Sequence, residues 1–322
     1  MHWRRFFLIL VFIAAMVARL LAVVMCCALA PAGLLGAPAE VTCGEDSATA
    51  AANLAVRHIN EHHKHGFKFK LQEVRSSKYQ AVEGGCHVDI NMELKQSDCH
   101  ITNPKLEDQC DFMMQSERGA VANCSSKLNV MGGVATVTNH NCVTKPELSN
   151  AEMAMICPDC PVLLPLNDET GVKAVEEAVK KFNRESNHQH YFALMEISSL
   201  TSGYIPSSGM RTYPKIALVE TTCPKDSKIM HEACTPRCPD RAHHVFCETS
   251  YSNSNTEVGE LRCELYLPKN SEPLADGEEE PTCGPLFHQS LEESACRAQL
   301  STREPAIHQI CPFPLAVPYA QA

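Results

Sequence analysis

The chain has 322 residues, a formal net charge of −10, 18 cysteines, 20 prolines and a single tryptophan. Its length suits two domains and a tail. So many cysteines belong to an oxidising compartment rather than to the cytosol, although they are sparser than in a disulfide miniprotein. The acidic balance excludes a general nucleic-acid binder, which needs positive patches against phosphate.

Arg4 and Arg5 precede an apolar run from Phe6 to Val17. Arg19 interrupts it, and Leu20 to Leu35 is again apolar or small. A basic start, an apolar middle and small residues between Ala30 and Ala39 describe a signal peptide over residues 1–36. The rival is a retained membrane anchor. Arg19 disfavours it by leaving no clean stretch of about 18 apolar residues. Removing the segment also removes Trp3, Cys26 and Cys27.

From Asp46 to His63, Ala48, Ala52, Ala55 and Ile59 recur at helical intervals. Phe67, Phe69 and Leu71 then alternate with polar residues. Val88, Ile90, Met92 and Leu94 alternate cleanly with His87, Asp89, Asn91, Glu93 and Lys95, giving a strand with one buried and one wet face. A second helix spans Asp168 to Ser186 with an apolar stripe of Val172, Val175, Val179 and Phe182, and Asn167 or Asp168 as its N-cap. Strands follow at Tyr191–Ile197 and Lys215–Thr222. Each unit reads as one helix packed on an antiparallel sheet, an α+β layer.

The cysteines repeat with the elements. Cys99 and Cys110 are 11 apart and Cys124 and Cys142 are 18 apart. Cys223 and Cys234 are again 11 apart, and Cys247 and Cys263 are 16 apart. Two quartets in the same order argue for duplicated domains, at 43–155 and 162–268, although four cysteines allow three pairings. Between them lies Cys157-Pro158-Asp159-Cys160-Pro161, a short stiff linker at 156–161. Residues 269–322, with Glu278, Glu279, Glu280 and several prolines, read as an acidic, mostly disordered tail apart from whatever Cys283, Cys296 and Cys311 tether.

Helix-then-sheet units with two consecutive cysteine pairs, joined by Cys-Pro-Asp-Cys-Pro, resemble the fetuin family of the cystatin superfamily over about residues 43–311. The resemblance implies two tandem cystatin-like domains and the disulfides Cys99–Cys110, Cys124–Cys142, Cys157–Cys160, Cys223–Cys234 and Cys247–Cys263. It also implies a long bridge from Cys43 to Cys311. Cys86, Cys238, Cys283 and Cys296 depart from the family pattern and are even in number.

Three candidate sites follow. A closed Cys157–Cys160 bridge flanked by Pro158 and Pro161 makes a rigid loop with Asp159 at its tip. A carboxylate can take the open position of a catalytic zinc. The resemblance to fetuins that inhibit astacin-type metalloproteases through this linker implies that role; the bland alternative is a structural clamp. Redox or zinc chemistry of the linker cysteines is disfavoured in a secreted chain without a thioredoxin-like context. The second candidate, Gln80-Ala81-Val82-Glu83-Gly84, matches the Q-x-V-x-G hairpin with which inhibitory cystatins enter papain-like cysteine proteases. Gly44 and Met131-Gly132-Gly133 would complete the wedge, against the bland reading of an inherited hairpin. The second unit has Pro206-Ser207-Ser208-Gly209 there and is not expected to inhibit such proteases. The third candidate is the wet sheet face, where Asp89 and Glu93 would offer oxygen ligands to calcium, as the mineral-binding fetuins imply; Glu107, Asp108, Asp111 and the Glu278–Glu280 run would add to them. A solvated strand face is its alternative.

His58, His62, His63 and His65 read as a polar helix end with no intrinsic metal, although His58 and His62 stand at i, i+4. Asn123 heads the single N-x-S/T sequon. No nucleophile–base pair, H-E-x-x-H or phosphate loop occurs, so the chain is expected to bind rather than catalyse. The expected protein is a secreted monomeric glycoprotein without a cofactor beyond surface-bound calcium. Its expected partners are extracellular proteases, with calcium phosphate mineral as the alternative, and neither nucleic acid nor a stable membrane association. A membrane-anchored receptor domain is the weaker third reading.

Overall fold

The structure is a computed structural model that describes residues 40–227, 229, 233–272, 274, 277–278, 281, 283 and 291–315. The signal-peptide reading and Glu279–Glu280 fall outside the described residues.

In the first domain, helix α1 (Ala48–His62) buries Ala51, Ala52, Ala55, Val56 and Ile59. Its alanines bring the helix axis close to the sheet, where larger side chains would hold it off. That sheet runs β1 (Phe67–Val82), β2 (Gly85–His100), β3 (Ala120–Met131) and β4 (Val134–Pro146), antiparallel and in chain order. Val88, Ile90, Met92 and Leu94 on β2 face the helix, as their alternation requires. The apolar alternation of β1 fades after Leu71, yet the strand runs on to Val82. Register shifts at Phe67/Phe69, Leu71/Glu73 and Val74/Ser76 break the period of two without ending the pairing.

After β4, a short helix α2 (Asn150–Ile156) leads into the linker and strand β5 (Val162–Leu163). Helix α3 (Glu169–Glu185) opens the second domain. Asp168 is its N-cap, the carboxylate Oδ1 accepting from the Gly171 N–H at 2.8 Å. Strands β6 (His190–Ile205) and β7 (Gly209–Pro224) form its long hairpin. The next two strands are interrupted: β8 (His244–Glu248) and β9 (Tyr251–Ser252) both pair with β7, β10 (Glu257–Val258) pairs with β9, and β11 (Arg262–Tyr266) pairs with β8. Ala174, Val175, Ala178, Val179 and Phe182 pack the helix onto Phe192, Leu200, Ile216 and Leu218. Both units are cystatin-like α+β layers.

The five short-range bridges form as the family resemblance implies. The Cys43–Cys311 bridge does not. Cys43 pairs with Cys86, and Cys311 pairs with Cys296. Cys86 sits at the start of β2, beside the N-terminal arm, so Cys43 has a nearer partner than the chain's far end. Cys238 pairs with Cys283. The departing cysteines therefore replace the long loop with local ones.

Within the tail, the part its cysteines tether is ordered, the exception the reading allowed. Helix α4 (Leu291–Ser301) is held by Cys296–Cys311, and Ala306, Ile307 and Ile310 are buried in the core of the first domain. Three apolar residues among prolines and polar residues set up no periodic pattern, but they suffice to dock the segment.

Domain contact is built around Glu196 on β6, which is 8% exposed. Its Oε1 accepts from the Gly66 N–H at 2.7 Å and from His100 Nε2 at 2.6 Å, and its Oε2 accepts from His65 Nδ1 at 2.9 Å. Beside this cluster Phe67 and Met113 pack with Phe246 and Tyr266, and Lys215 bridges Glu117 at 3.0 Å and Glu248 at 2.8 Å. Among the described residues no helix is long and apolar enough to cross a membrane.

Candidate functional site

The linker is a braced loop. Helix α2 is started by a capping box: the Ser149 hydroxyl accepts from the Glu152 N–H at 3.2 Å, and the Glu152 carboxylate accepts from the Ser149 N–H at 2.8 Å. The helix runs to Cys157, whose N–H donates to the Met153 carbonyl at 2.7 Å. The chain then turns back, with the Cys160 N–H bonded to the Cys157 carbonyl at 3.1 Å and the Cys157–Cys160 disulfide closing the turn. Pro158 and Asp159 are exposed at the tip. On the far side, Asn150 holds β5: its Oδ1 accepts from the Leu163 N–H at 2.8 Å and its Nδ2 donates to the Leu163 carbonyl at 3.0 Å. Arg118 Nη2 donates to the same Oδ1 at 2.8 Å. One asparagine thus clasps both ends of the linker. Sequence reading missed it, because its partner is backbone 13 residues away and no side-chain pattern marks it.

The linker's surroundings are apolar and exposed. Met155 is 79% and Ile156 is 63% exposed on the approach, and Val162 is 40% exposed on the exit. β5 pairs with Thr201 and Ser202 of β6, which sets Gly203 against Pro161 and places the tip of the β6–β7 hairpin, with exposed Tyr204 and Met210, on the same side. Surface side chains of this size, grouped about one tip, mark a binding surface rather than a core.

The Gln80–Gly84 segment ends the β1–β2 hairpin, as expected. Val82 pairs with Gly85, and Glu83–Gly84 make the turn, where Gly84 has φ +80°, a conformation a side chain would strain. Gln80 and Gly84 are exposed and Val82 is half-buried. The Gly132 N–H bonds to the Gly84 carbonyl at 3.3 Å, so the Met131-Gly132-Gly133 tip lies directly beside it. The Cys43–Cys86 bridge fastens the arm that carries Gly44 to the same edge. Three segments meet at one rim.

On the wet face, Asp89, Asn91 and Glu93 alternate outward as read. The carboxylates are not left to a cation, however. Glu93 pairs with Arg75 at 2.5 Å, and Asp89 stands opposite Lys78 on β1 and Lys127 on β3. Elsewhere, Glu107 pairs with Arg57 at 3.3 Å, and the Asp98 carboxylate accepts from the Asp111 N–H at 3.0 Å. Asn123 is exposed on the same face, opposite Glu93.

The histidines depart most from their reading. His63 and His65 are buried at 5% and 6% exposure rather than displayed at a polar helix end. Burial raises the Glu196 carboxyl, but His308 and the hydrogen bonds from His100 and His65 outweigh it and hold the group well below the usual carboxylate range. Burial pushes the His65 and His308 imidazoles down, and Glu196 offsets part of that.

Comparison with known proteins agrees with this fold. A cystatin-domain family model matches residues 36–130 and 160–253. Alpha-2-HS-glycoprotein of Pan troglodytes is 27% identical over 265 residues, covering 81% of this chain and 70% of that protein. Antihemorrhagic factor cHLP-B of Gloydius brevicauda is 27% identical over 229 residues, covering 70% of this chain and 66% of the factor. This chain therefore spans about two thirds of the length of these curated relatives. Among solved structures, mouse fetuin-B in its inhibitory complex with human meprin beta superposes with a TM-score of 0.58 at 20% identity, over 77% of this chain and 82% of that one. At that identity the likeness is one of fold.

Proposed function

Since the chain belongs to the cystatin family, with two tandem cystatin domains, we propose that it is a secreted fetuin-type inhibitor of astacin-type metalloproteases acting through its linker. It works by binding, as fetuins and cystatins do, and not by catalysis. The observation that carries this reading is the exposed Asp159 at the tip of a loop fixed by the Cys157–Cys160 bridge and the Asn150 clasp. A zinc peptidase keeps one coordination position for water. A carboxylate entering at about 2.0–2.2 Å displaces that water and, with it, the nucleophile. Because the loop is already ordered, little conformational entropy is lost on docking. Met155, Ile156, Val162, Tyr204 and Met210 supply apolar contact to the cleft walls on either side. The solved complex of mouse fetuin-B, a related fold, with crayfish astacin names the target class that this reading adopts.

The test is inhibition of an astacin-type protease by the full chain and by Asp159→Ala. The variant should inhibit at least about tenfold more weakly, a loss of roughly 1.4 kcal/mol or more. Equal inhibition by the variant would remove the linker from the mechanism.

A second reading, inhibition of papain-like proteases, is favoured by the adjacency of the Gly84 and Gly132 tips and the arm held by Cys43. Gly84→Arg should then abolish inhibition of papain while leaving the metalloprotease untouched. The calcium phosphate reading has no comparable support, since Asp89 and Glu93 face basic partners.

A further inference from the structure

Helix α1 carries His58 and His62 one turn apart, and β4 places His140 against the same turn. The ring centroids are 4.1 Å apart for His58–His62, 5.5 Å for His58–His140 and 6.2 Å for His62–His140. Three imidazoles on one tetrahedral ion have centroids roughly 5 Å apart, given metal–nitrogen bonds of about 2.0–2.1 Å. His140 comes from a strand 78 residues beyond His62 in the chain.

The hydrogen bonds leave lone pairs available. His140 Nε2 donates to the Cys311 carbonyl at 3.1 Å, so its Nδ1 carries no proton; that nitrogen is buried and has no hydrogen-bond partner. His62 Nδ1 donates to the His58 carbonyl at 2.8 Å, which frees Nε2. His58 Nε2 is likewise buried without a partner. The His140 imidazole, its second nitrogen tied to a main-chain carbonyl, has the form in which histidine ligates metals, the carbonyl fixing tautomer and ring orientation. Two orphaned buried nitrogens would be costly without a ligand. Phe313 packs on His58 at 4.7 Å, His62 at 4.6 Å and His140 at 5.7 Å, and its backbone exchanges two 2.8 Å hydrogen bonds with His140. The three nitrogens lie too far apart to share an ion as they stand; the site is walled on one side by an aromatic ring and open on the side of the exposed His62, whose ring would leave the His58 carbonyl and turn Nε2 inward to close the set.

We propose that His58, His62 and His140 form a three-imidazole binding site for a divalent transition metal, with zinc the best match. Three neutral nitrogens and one open position suit zinc; copper(II) and nickel(II) bind the same donors. The ion would lock α1 to β4 and, through Phe313 and Cys311, to the C-terminal segment. This site is independent of the linker, in which Asp159 reaches for a metal belonging to another protein.

The experiment is a zinc titration of the chelator-stripped full chain, disulfides intact, against a competing chromophoric chelator. One zinc per chain is expected at micromolar or tighter affinity. His62→Ala, at an exposed position that leaves the core untouched, and His58→Ala should each weaken it. Losing an outer-shell partner already costs about 10–100-fold, so losing a ligand should cost at least about tenfold. His308→Gln, at the Glu196 cluster, should leave the affinity unchanged. With copper(II), the paramagnetic spectrum should show coordination by three nitrogens, falling to two in His62→Ala. Absence of stoichiometric zinc, or unchanged affinity in both His62→Ala and His58→Ala, would overturn the proposal.

Discussion

Glu196 brings a carboxylate to a place that water does not reach, and its shortest hydrogen bonds come from a distant part of the chain, Gly66, His65 and His100, with the nearby Ser198 hydroxyl adding a longer one at 3.3 Å. Removing one member of a buried charged set costs more than the set contributes, because the remaining groups lose their partner. Glu196→Ala is therefore expected to lower stability by about 3–5 kcal/mol, read as a fall in urea midpoint at unchanged slope. A loss below about 1 kcal/mol would mean that the cluster is solvated. None of this was legible in the sequence. Histidine in a run with lysine reads as surface, and a lone glutamate in a strand reads as its wet side; only the opposing domain makes these positions interior. Asp159 was legible, because the flanking cysteines and prolines state the loop's rigidity locally. His140 was not, since nothing near it in sequence marks it as facing His58.

At the scale of elements, local pattern and structure agree where one physical rule acts alone. The strand of Val88 to Leu94, the capped helix after Asp168 and the hairpin turn at Gly84 are each set by periodicity, a cap or a backbone conformation. Agreement fails where two rules compete. β1 outlasts its alternation because bulges reset its register. In the C-terminal segment the cysteines marked the tether, but the three apolar residues that dock it are too few to form a pattern. Cys43 takes the neighbouring Cys86 where the family resemblance pointed to Cys311. The Asn150 clasp belongs to this scale, since it positions a loop without touching any partner. Asn150→Ala should cost about 1–3 kcal/mol in stability, because the Leu163 N–H and carbonyl lose their partner. It should also weaken metalloprotease inhibition while leaving the exposed Asp159 chemically intact. Undiminished inhibition by a measurably destabilised Asn150→Ala would show that loop bracing is unnecessary.

Across the whole molecule, the interface couples folding to pH. The unfolded chain has ordinary imidazoles, whereas burial holds His65 and His308 below that value and pushes His244 down to about 4. Between those folded values and about 6.5 the unfolded state binds more protons, so stability falls as pH falls. Glu196, depressed in the folded state, adds loss in the same direction below the carboxylate range. The urea midpoint should therefore drop from pH 7.5 to pH 5, and Glu196→Ala, which removes the carboxylate that offsets the burial of His65 and His308, should steepen that slope. A midpoint independent of pH across this window would contradict the buried assignment.

The same frame holds the linker against the second domain, through β5 on β6 and Gly203 on Pro161, and the account centres on what the linker's tip does. The most direct measurement is a double cycle of affinities: wild type and Asp159→Ala, each against an astacin-type protease with its zinc and with the zinc removed. If the Asp159 carboxylate occupies the metal's open position, either change alone weakens binding and the second adds almost nothing, a coupling of at least about 1.4 kcal/mol. If the two losses simply add, or if zinc removal leaves wild-type affinity unchanged, Asp159 does not reach the metal and the account is wrong.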